Sequence, residues 1–325
     1  MFLIRVSTGS NFGKGHINRC LKIRKKIKNR VIWFVDKGSK QNSLVKFDDK
    51  IVEEVSSSSI SKTTNYALDN NIKAIIIDNP NVKNLKKMLF FGIKPIIILV
   101  DKHIIYNNVL SICMHPINIK EKNFISGYKY LPLVKKQKKI CKNPNKKNIL
   151  VSFGNIDSKC MTEKVISTFQ KLIESKDLNL NQYIINIILG RFKKNIKLIK
   201  SITASNKKFK LIHKPNNLDS LYKKCDFAIG APGFSQVERL EYKIPSILIA
   251  QNEIQKKILE SWEKSGCALV VKNIKTDLKN NIFLMIQNEK VKNDIQKKIA
   301  EKFDGNGIER ILKKIDSYVK NFKSN

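Results

Sequence analysis

The chain has 325 residues, enough for two domains that each build their own core, and it carries 63 Lys and Arg against 27 Asp and Glu, a formal net charge of +36. No apolar run approaches the length of a membrane span, the start MFLIRVSTG is a short strand holding Arg5 rather than a signal peptide, and six cysteines without a CxxC pair indicate neither a zinc site nor a disulfide framework but a reducing, cytoplasmic setting. Only seven of the basic residues are arginine, and the lysines are scattered over nearly every predicted helix and loop, which argues against a dedicated nucleic-acid site while leaving a general affinity for anions.

The first predicted element is the apolar run Phe2 to Val6, a strand that leads through STGSNFGKGHINRC, Ser7 to Cys20, into an amphipathic helical pattern from His16 onward. Gly13 and Gly15 flank Lys14. Two glycines this close let the backbone turn tightly and approach a ligand without a Cβ in the way. His16 falls in the first turn of the helix, beside unpaired N–H groups at the positive end of the dipole, where a neutral imidazole is favoured and can accept a proton. The other reading is an ordinary loop with His16 as an incidental cap. The spacing is not the GxGxxG dinucleotide fingerprint, because its third glycine position is Asn18.

Further short, β-branched runs at Val31 to Val35, Ala74 to Ile77 and Pro95 to Val100 alternate with helical patterns near Ile60 to Asn70 and Val82 to Phe91. Continuous apolar strands alternating with helices predict a parallel sheet covered on both faces. Asp36, Asp78 and Asp101 each follow an apolar run at its carboxyl end, the edge where open parallel sheets bind ligands. A solvated strand end or helix cap is the alternative for each, and for Asp36 it is preferred. Between Tyr128 and Asn148 the sequence becomes lysine-rich and loses its apolar period, which marks a linker.

A second alternating unit begins with a strand at Ile149 to Phe153, followed by Gly154, Asn155 and Asp157 and a helix through Ile173. Strands are then predicted at Ile184 to Leu189, Phe209 to Ile212, Phe227 to Gly230, Ile244 to Ile249 and Ala268 to Val271. The strongest chemical signal here is GAPGFSQVERLEYKIPSILIAQNEIQ, Gly230 to Gln255. Strand, glycine-rich turn and helix in that order offer free backbone N–H groups and a positive dipole end to a phosphate, with Gly233, Phe234 and Ser235 at the helix start. Glu238, one turn along the same face as Ser235, can accept from the two hydroxyls of a ribose, or can be a solvated helix-face carboxylate. His103, His115 and His213 stand alone and read as surface or packed imidazoles. No triad, metal spacing or carboxylate pair emerges.

The run IRVSTGSNFGKGHINRCLKI resembles the N-terminal signature of the UDP-sugar hydrolases of pseudaminic acid biosynthesis, the PseG family, whose close relatives are the SpsG-like glycosyltransferases. Arg5, Gly13, Gly15, His16 and Arg19 match its arginine, its G-x-G-H and its following arginine. Asp78 matches an aspartate after the corresponding strand, with Asn79-Pro80 where the family continues His-Tyr. VSFGNID is similar to a strand followed by G-G-x-D, keeping Gly154 and placing Asn155 at the second glycine. The stretch from Gly233 to Glu238 is similar to the nucleotide loop of this family and of MurG-type glycosyltransferases. Asn252 matches the first residue of an Asn-Gln pair, with Glu253 in place of the glutamine, and KFDGNGIERI near the end resembles a closing D-G-x-G-x-x-R-I turn of structural character.

The resemblance implies an α/β, GT-B-type fold: two Rossmann-like domains facing across a cleft, residues 1–140 on the sugar side with the catalytic histidine and residues 148–325 binding UDP, the last helix packing across the domains. It implies a hydrolase that releases UDP from a UDP-linked amino or deoxy sugar with inversion at the anomeric carbon, in nonulosonic acid or surface polysaccharide biosynthesis. His16 is then the catalytic base, and Arg5, Gly13, Gly15, Arg19, Asp78, Gly154, Gly233, Phe234, Ser235, Glu238 and Asn252 bind substrate. A GT-B glycosyltransferase using the same donor is the alternative, and a noncatalytic nucleotide- or nucleic-acid-binding protein is a third reading. The expected partner is a UDP-sugar, without cofactor, metal, dedicated nucleic acid or membrane span, and a monomer is favoured while the oligomeric state stays open.

Overall fold

Runs of branched apolar residues build two separate parallel sheets. The computed structural model describes residues 1–8, 15–38, 44, 48–56, 58–79, 93–134, 146–190, 196–213, 215 and 218–322. Gly13, the helical pattern at Val82 to Phe91 and residues 135–145 of the predicted linker lie outside these. By contacts the chain divides into two compact units, Met1–Val134 with Gly305–Asn325, and Lys135–Asp304.

In the first unit, β1 (Phe2–Val6), β2 (Val31–Val35), β3 (Lys50–Glu53), β4 (Ala74–Asp78), β5 (Ile96–Val100), β6 (Val109–Cys113) and β7 (Phe124–Ile125) form one sheet in the order β3-β2-β1-β4-β5-β6-β7. Every neighbouring pair is parallel. The residues of β1, β2, β4, β5 and β6 are all buried, so their apolar side chains supply core on both faces, each full burial contributing roughly 1.5–3 kcal/mol. Alternate residues sort the two faces: Phe2, Ile4 and Val6 join one cluster with Trp33 and Ile76, and Leu3 joins the other with Phe34 and Ile75. Helices α1 (Gly15–Arg24) and α2 (Ser61–Asp69) connect the early strands.

The second unit carries β8 (Lys147–Ser152), β9 (Tyr183–Leu189), β10 (Phe209–His213), β11 (Phe227–Gly230), β12 (Ser246–Ile249) and β13 (Leu269–Val271) in the order β10-β9-β8-β11-β12-β13, again all parallel. Its helices are α3 (Met161–Glu174), α4 (Ile196–Ser205), α5 (Asp219–Lys224), α6 (Phe234–Glu241), α7 (Glu253–Ser265), α8 (Asp277–Gln287) and α9 (Glu289–Lys302). In both sheets the order reverses beside the first strand, between β1 and β4 and between β8 and β11. Such a switch point leaves a crevice at the carboxyl ends of the two strands, because their connections leave in opposite directions.

The final helix α10 (Gly307–Lys320) packs with the first unit, so the boundary expected at 148–325 ends instead at Asp304. Its closing motif has a packing reason. A Cβ on Gly307 would lie 1.8 Å from the Leu131 carbonyl oxygen, and Arg310 donates to the Lys129 carbonyl at 3.0 Å. Ile311 and Ile315 then complete the core beneath β1.

Candidate active site

The switch point of the first sheet gathers a chain of charged groups. Register sets Val6 beside Asp78, and the Ser7 N–H donates to the Asp78 carbonyl at 3.0 Å, so the exits of β1 and β4 are tied together. His16 is the second residue of α1, and its Nδ1 lies 2.7 Å from Asp78 Oδ1. Two groups meet that nitrogen, the Asp78 carboxylate and, at 3.0 Å, the donor Nη2 of Arg19; in the tautomer that donates from Nδ1 to Asp78, Nε2 is the basic nitrogen.

Arg19, one turn along α1, forks onto the same carboxylate, with Nε 2.5 Å from Oδ2 and Nη2 2.5 Å from Oδ1. Its Nη1 donates to Asp101 Oδ1 just beyond β5, and His115, beyond β6, reaches that oxygen through Nε2 at 3.2 Å. His115 Nδ1 is buried with no hydrogen-bond partner among the described residues. Burial works to raise the Asp78 pKa, but the Arg19 charge and then His16 outweigh it and hold the carboxyl below its ordinary range. At Asp101 burial again acts upward, and Arg19 and the His115 hydrogen bond carry the balance well below that range. Burial would deprotonate Arg19 more easily, yet the two carboxylates raise its pKa well above its ordinary value. The Cys20 thiol, 3.5 Å from Asp78 Oδ2, is pushed well up by burial and that charge, which keeps it protonated and unreactive.

A second pair lies one strand over. Arg5 is fully buried and donates through Nη2 to Asp36 Oδ1 at 2.8 Å, while the Thr8 N–H donates to Asp36 Oδ2 at 2.8 Å. Asp36, expected as a solvated strand end, is therefore an internal counterion that anchors the start of the β1 loop. His115 is likewise a packed imidazole, but one engaged with a carboxylate of the switch-point network. His103 is half exposed, 3.1 Å from Glu121.

In the second unit three strand ends face different fates. Gly154 sits at φ +80°, a left-handed conformation at the exit of β8, and the chain after it packs so closely that a Cβ on Gly190 would lie 2.2 Å from the Asn155 carbonyl oxygen. Asp157 then caps α3, its Oδ1 and Oδ2 accepting from the Met161 and Thr162 N–H groups at 2.8 and 2.7 Å. Asn252 caps α7 in the same way, accepting from the Gln255 N–H at 2.9 Å. The α6 start has no side-chain cap: Gly233 is its N-cap, followed by Phe234 and Ser235. Glu238 stands on α6 half-buried, with the Tyr222 hydroxyl 3.5 Å from its Oε2. Burial and then the Glu238 charge hold the Tyr222 hydroxyl protonated well above its ordinary range, so it donates.

Five sequence-predicted positions, Arg5, Gly15, His16, Arg19 and Asp78, thus lie at or next to the first switch point, and Gly154, Gly233, Phe234, Ser235 and Glu238 lie around the second. The Asn252 side chain is engaged in capping, at the end of the next strand. Sequence reasoning missed Gln251, whose Nε2 donates to the Phe153 carbonyl at 3.0 Å and whose Oε1 accepts from the Ser158 N–H at 3.2 Å, tying the β12 exit to the β8 exit. It also missed the roles of Tyr222 and Arg239. For Arg239 the sequence carries no cue, because FSQVERLE has the one apolar face of a surface helix. Among the described residues, no group of three or more His, Cys, Asp or Glu could hold a metal ion, and no helix is long and apolar enough to cross a membrane.

Two doubly wound parallel sheets of this kind define a GT-B fold, and solved GT-B proteins superpose on nearly the whole chain. Acinetobacter baumannii MurG matches with a TM-score of 0.67 at 13% identity, covering 97% of this chain and 99% of that one. S. aureus MnaA, in a co-structure with UDP, matches with a TM-score of 0.70 at 13% identity over 98% and 96% of the two chains. A glycosyltransferase from Rickettsia africae gives 0.69 at 14% identity over 98% of each. In sequence the chain is similar to an uncharacterized protein of Methanocaldococcus jannaschii, 25% identical over 303 residues, 80% of this chain and 57% of that protein. It is also similar to the spore coat polysaccharide biosynthesis protein SpsG of Bacillus subtilis, 26% identical over 123 residues, 38% of this chain and 35% of that protein. The chain spans about half or less of the length of these curated relatives. No protein-family model matches it.

Proposed function

We propose that the protein acts on a UDP-linked sugar, with His16 as the general base and UDP held on the α6 turn. The observation that carries this reading is the His16 to Asp78 contact at 2.7 Å, because a carboxylate on Nδ1 fixes the ring and strengthens Nε2 as a proton acceptor. In the hydrolytic reading, a water oxygen attacks the anomeric carbon from the face opposite the nucleotide. Its proton passes to His16 Nε2, and the bond from the anomeric carbon to the β-phosphate oxygen breaks with its electron pair leaving on UDP, which inverts the configuration. Asp78 steadies the imidazolium that forms. Arg19 and Arg5, both buried on carboxylates, act here by positioning Asp78 and the β1 loop rather than by touching substrate, and Gly15 gives the approach to His16 room. On the nucleotide side Gly233, Phe234 and Ser235 present backbone N–H groups to the diphosphate, Glu238 accepts from the ribose hydroxyls, and Gly154 adjoins the same switch point.

The solved structure of MnaA with UDP and the polysaccharide context of SpsG support a UDP-sugar as the substrate class. The same site with a sugar hydroxyl in place of water is a glycosyltransferase, and the glycosyltransferases among the matched structures favour keeping that second reading. The deciding experiment measures UDP release from a panel of UDP-linked acetamido and deoxy sugars, with and without added sugar acceptors. Release without acceptor is expected. Release that requires an acceptor overturns hydrolysis in favour of transfer, and no release in either arm overturns the enzymatic reading.

A further inference from the structure

Arg239, in the last turn of α6, is a buried cation that hydrogen-bonds to no carboxylate among the described residues, and the neighbouring Glu238 charge only partly offsets its burial. It is 0% exposed, its Nε donates to Gln236 Oε1 at 2.8 Å and its Nη2 to the Ala231 carbonyl at 2.9 Å, and its Nη1 is buried with no hydrogen-bond partner among the described residues. Gln236 is itself 0% exposed with its Nε2 unpartnered. The guanidinium lies against the backbone that enters the turn, since a Cβ on Gly230 would stand 2.6 Å from Nη1. An incompletely compensated buried charge is costly, and burial outweighs the nearby Tyr222, Cys225 and Glu238 groups and pulls the Arg239 pKa below its ordinary value. Arg19 in the other unit shows the usual solution, with two carboxylates on one guanidinium. Pinning the Ala231 carbonyl would need only a neutral donor. The charge itself therefore requires an explanation, and the uncapped α6 start two residues beyond Ala231 supplies one: an anion bound there completes the pairing through a low-dielectric layer, where the field of a buried charge is weakly screened.

We propose that Arg239 is a positioning residue for a nucleoside diphosphate, holding the Ala231 to Gly233 turn and supplying from beneath it the positive potential that selects the anionic diphosphate over the bare nucleoside. This rests on the reading of α6 as the UDP site and deepens it. Gln236 orients the guanidinium, and Gly230 is glycine because both Arg239 and the Ser152 carbonyl oxygen, 2.1 Å from a Cβ there, occupy the space a side chain would take.

The test titrates wild-type protein, Arg239→Met and Arg239→Lys with uridine, UMP and UDP by calorimetry or competition, with melting temperature recorded for each. In Arg239→Met the UDP affinity is expected to fall about tenfold and UMP less, while uridine stays within about twofold and Arg239→Lys keeps most of the preference for UDP. Equal losses for uridine and UDP, or a Lys variant that falls as far as Met, would make Arg239 purely structural and overturn the inference. Unchanged UDP affinity in Arg239→Met overturns it too. Should Arg239→Met fail to fold, Arg239→Gln, which keeps an N–H for Ala231, is read by the same criteria. Wild-type protein that binds none of the three ligands overturns the nucleotide reading itself, an outcome separate from the failure of Arg239 alone.

Discussion

At the switch point of the first unit, charge is matched from within: Asp78 and Asp101 share Arg19, and each carboxylate also meets a histidine. At the switch point of the second unit, the α6 start is uncapped and the guanidinium beneath it is held by neutral oxygens only. The sheets are wound alike, so the scaffold does not account for the difference. The side chains at the strand exits do. Internally neutralised charge fixes the orientation of one proton-accepting ring, which is what a base needs, whereas unmatched positive potential attracts an anion, which is what a phosphate site needs.

In the function proposed above the first unit supplies the chemistry and the second holds the nucleotide, and substitutions that separate rate from binding test that division. The largest effect is expected from His16→Asn, which should lower turnover by roughly 10² to 10⁴ while UDP affinity stays nearly unchanged. A variant that loses UDP binding and turnover together would break the division. Next comes Arg19→Met, which leaves two carboxylates without their shared cation and should cost about 3–5 kcal/mol in denaturant unfolding. Adding Asp78→Asn to it should return part of that loss, since the pair act as one network. Glu238→Ala should weaken UDP binding by about 1–3 kcal/mol with the unfolding midpoint little changed, and unaltered affinity by calorimetry would remove Glu238 from the ribose. The smallest effect is in acid. Asp78 and Asp101 have folded pKa values below their unfolded ones, so their stabilisation is complete above the unfolded value of about 4 and is lost as pH falls from there through the folded values. Asp101→Asn should flatten that fall, as read from unfolding curves between neutral pH and pH 3.

The alternation of buried strands and helices was legible because each central strand is a continuous apolar run, and the strand predicted at Phe2 to Val6 coincides with β1. The strands that escaped notice sit toward a sheet edge. Lys50–Glu53 is a half-exposed KIVE, Val109–Cys113 is interrupted by Ser111, and Phe124–Ile125 is two residues long, so none carries a run of buried branched residues. The predicted strand at Ile244 to Ile249 begins at Ser246, because Pro245 cannot donate to the ladder.

By itself the sequence determined the class of fold, the position of His16 at a helix start, and the glycine turn ahead of Ser235 and Glu238, because these depend on neighbours within a turn or two. Only the tertiary structure decided what surrounds them. The Asp78 carboxylate reaches His16 across 62 positions, Arg19 reaches Asp101 across 82, and Gln251 reaches Phe153 across 98. Strand order brings those residues together, and local pattern carries no information about strand order. The same holds for Arg239, which reads as one more charge on a surface helix until the fold shuts it away from water and leaves it hydrogen-bonded to neutral oxygens.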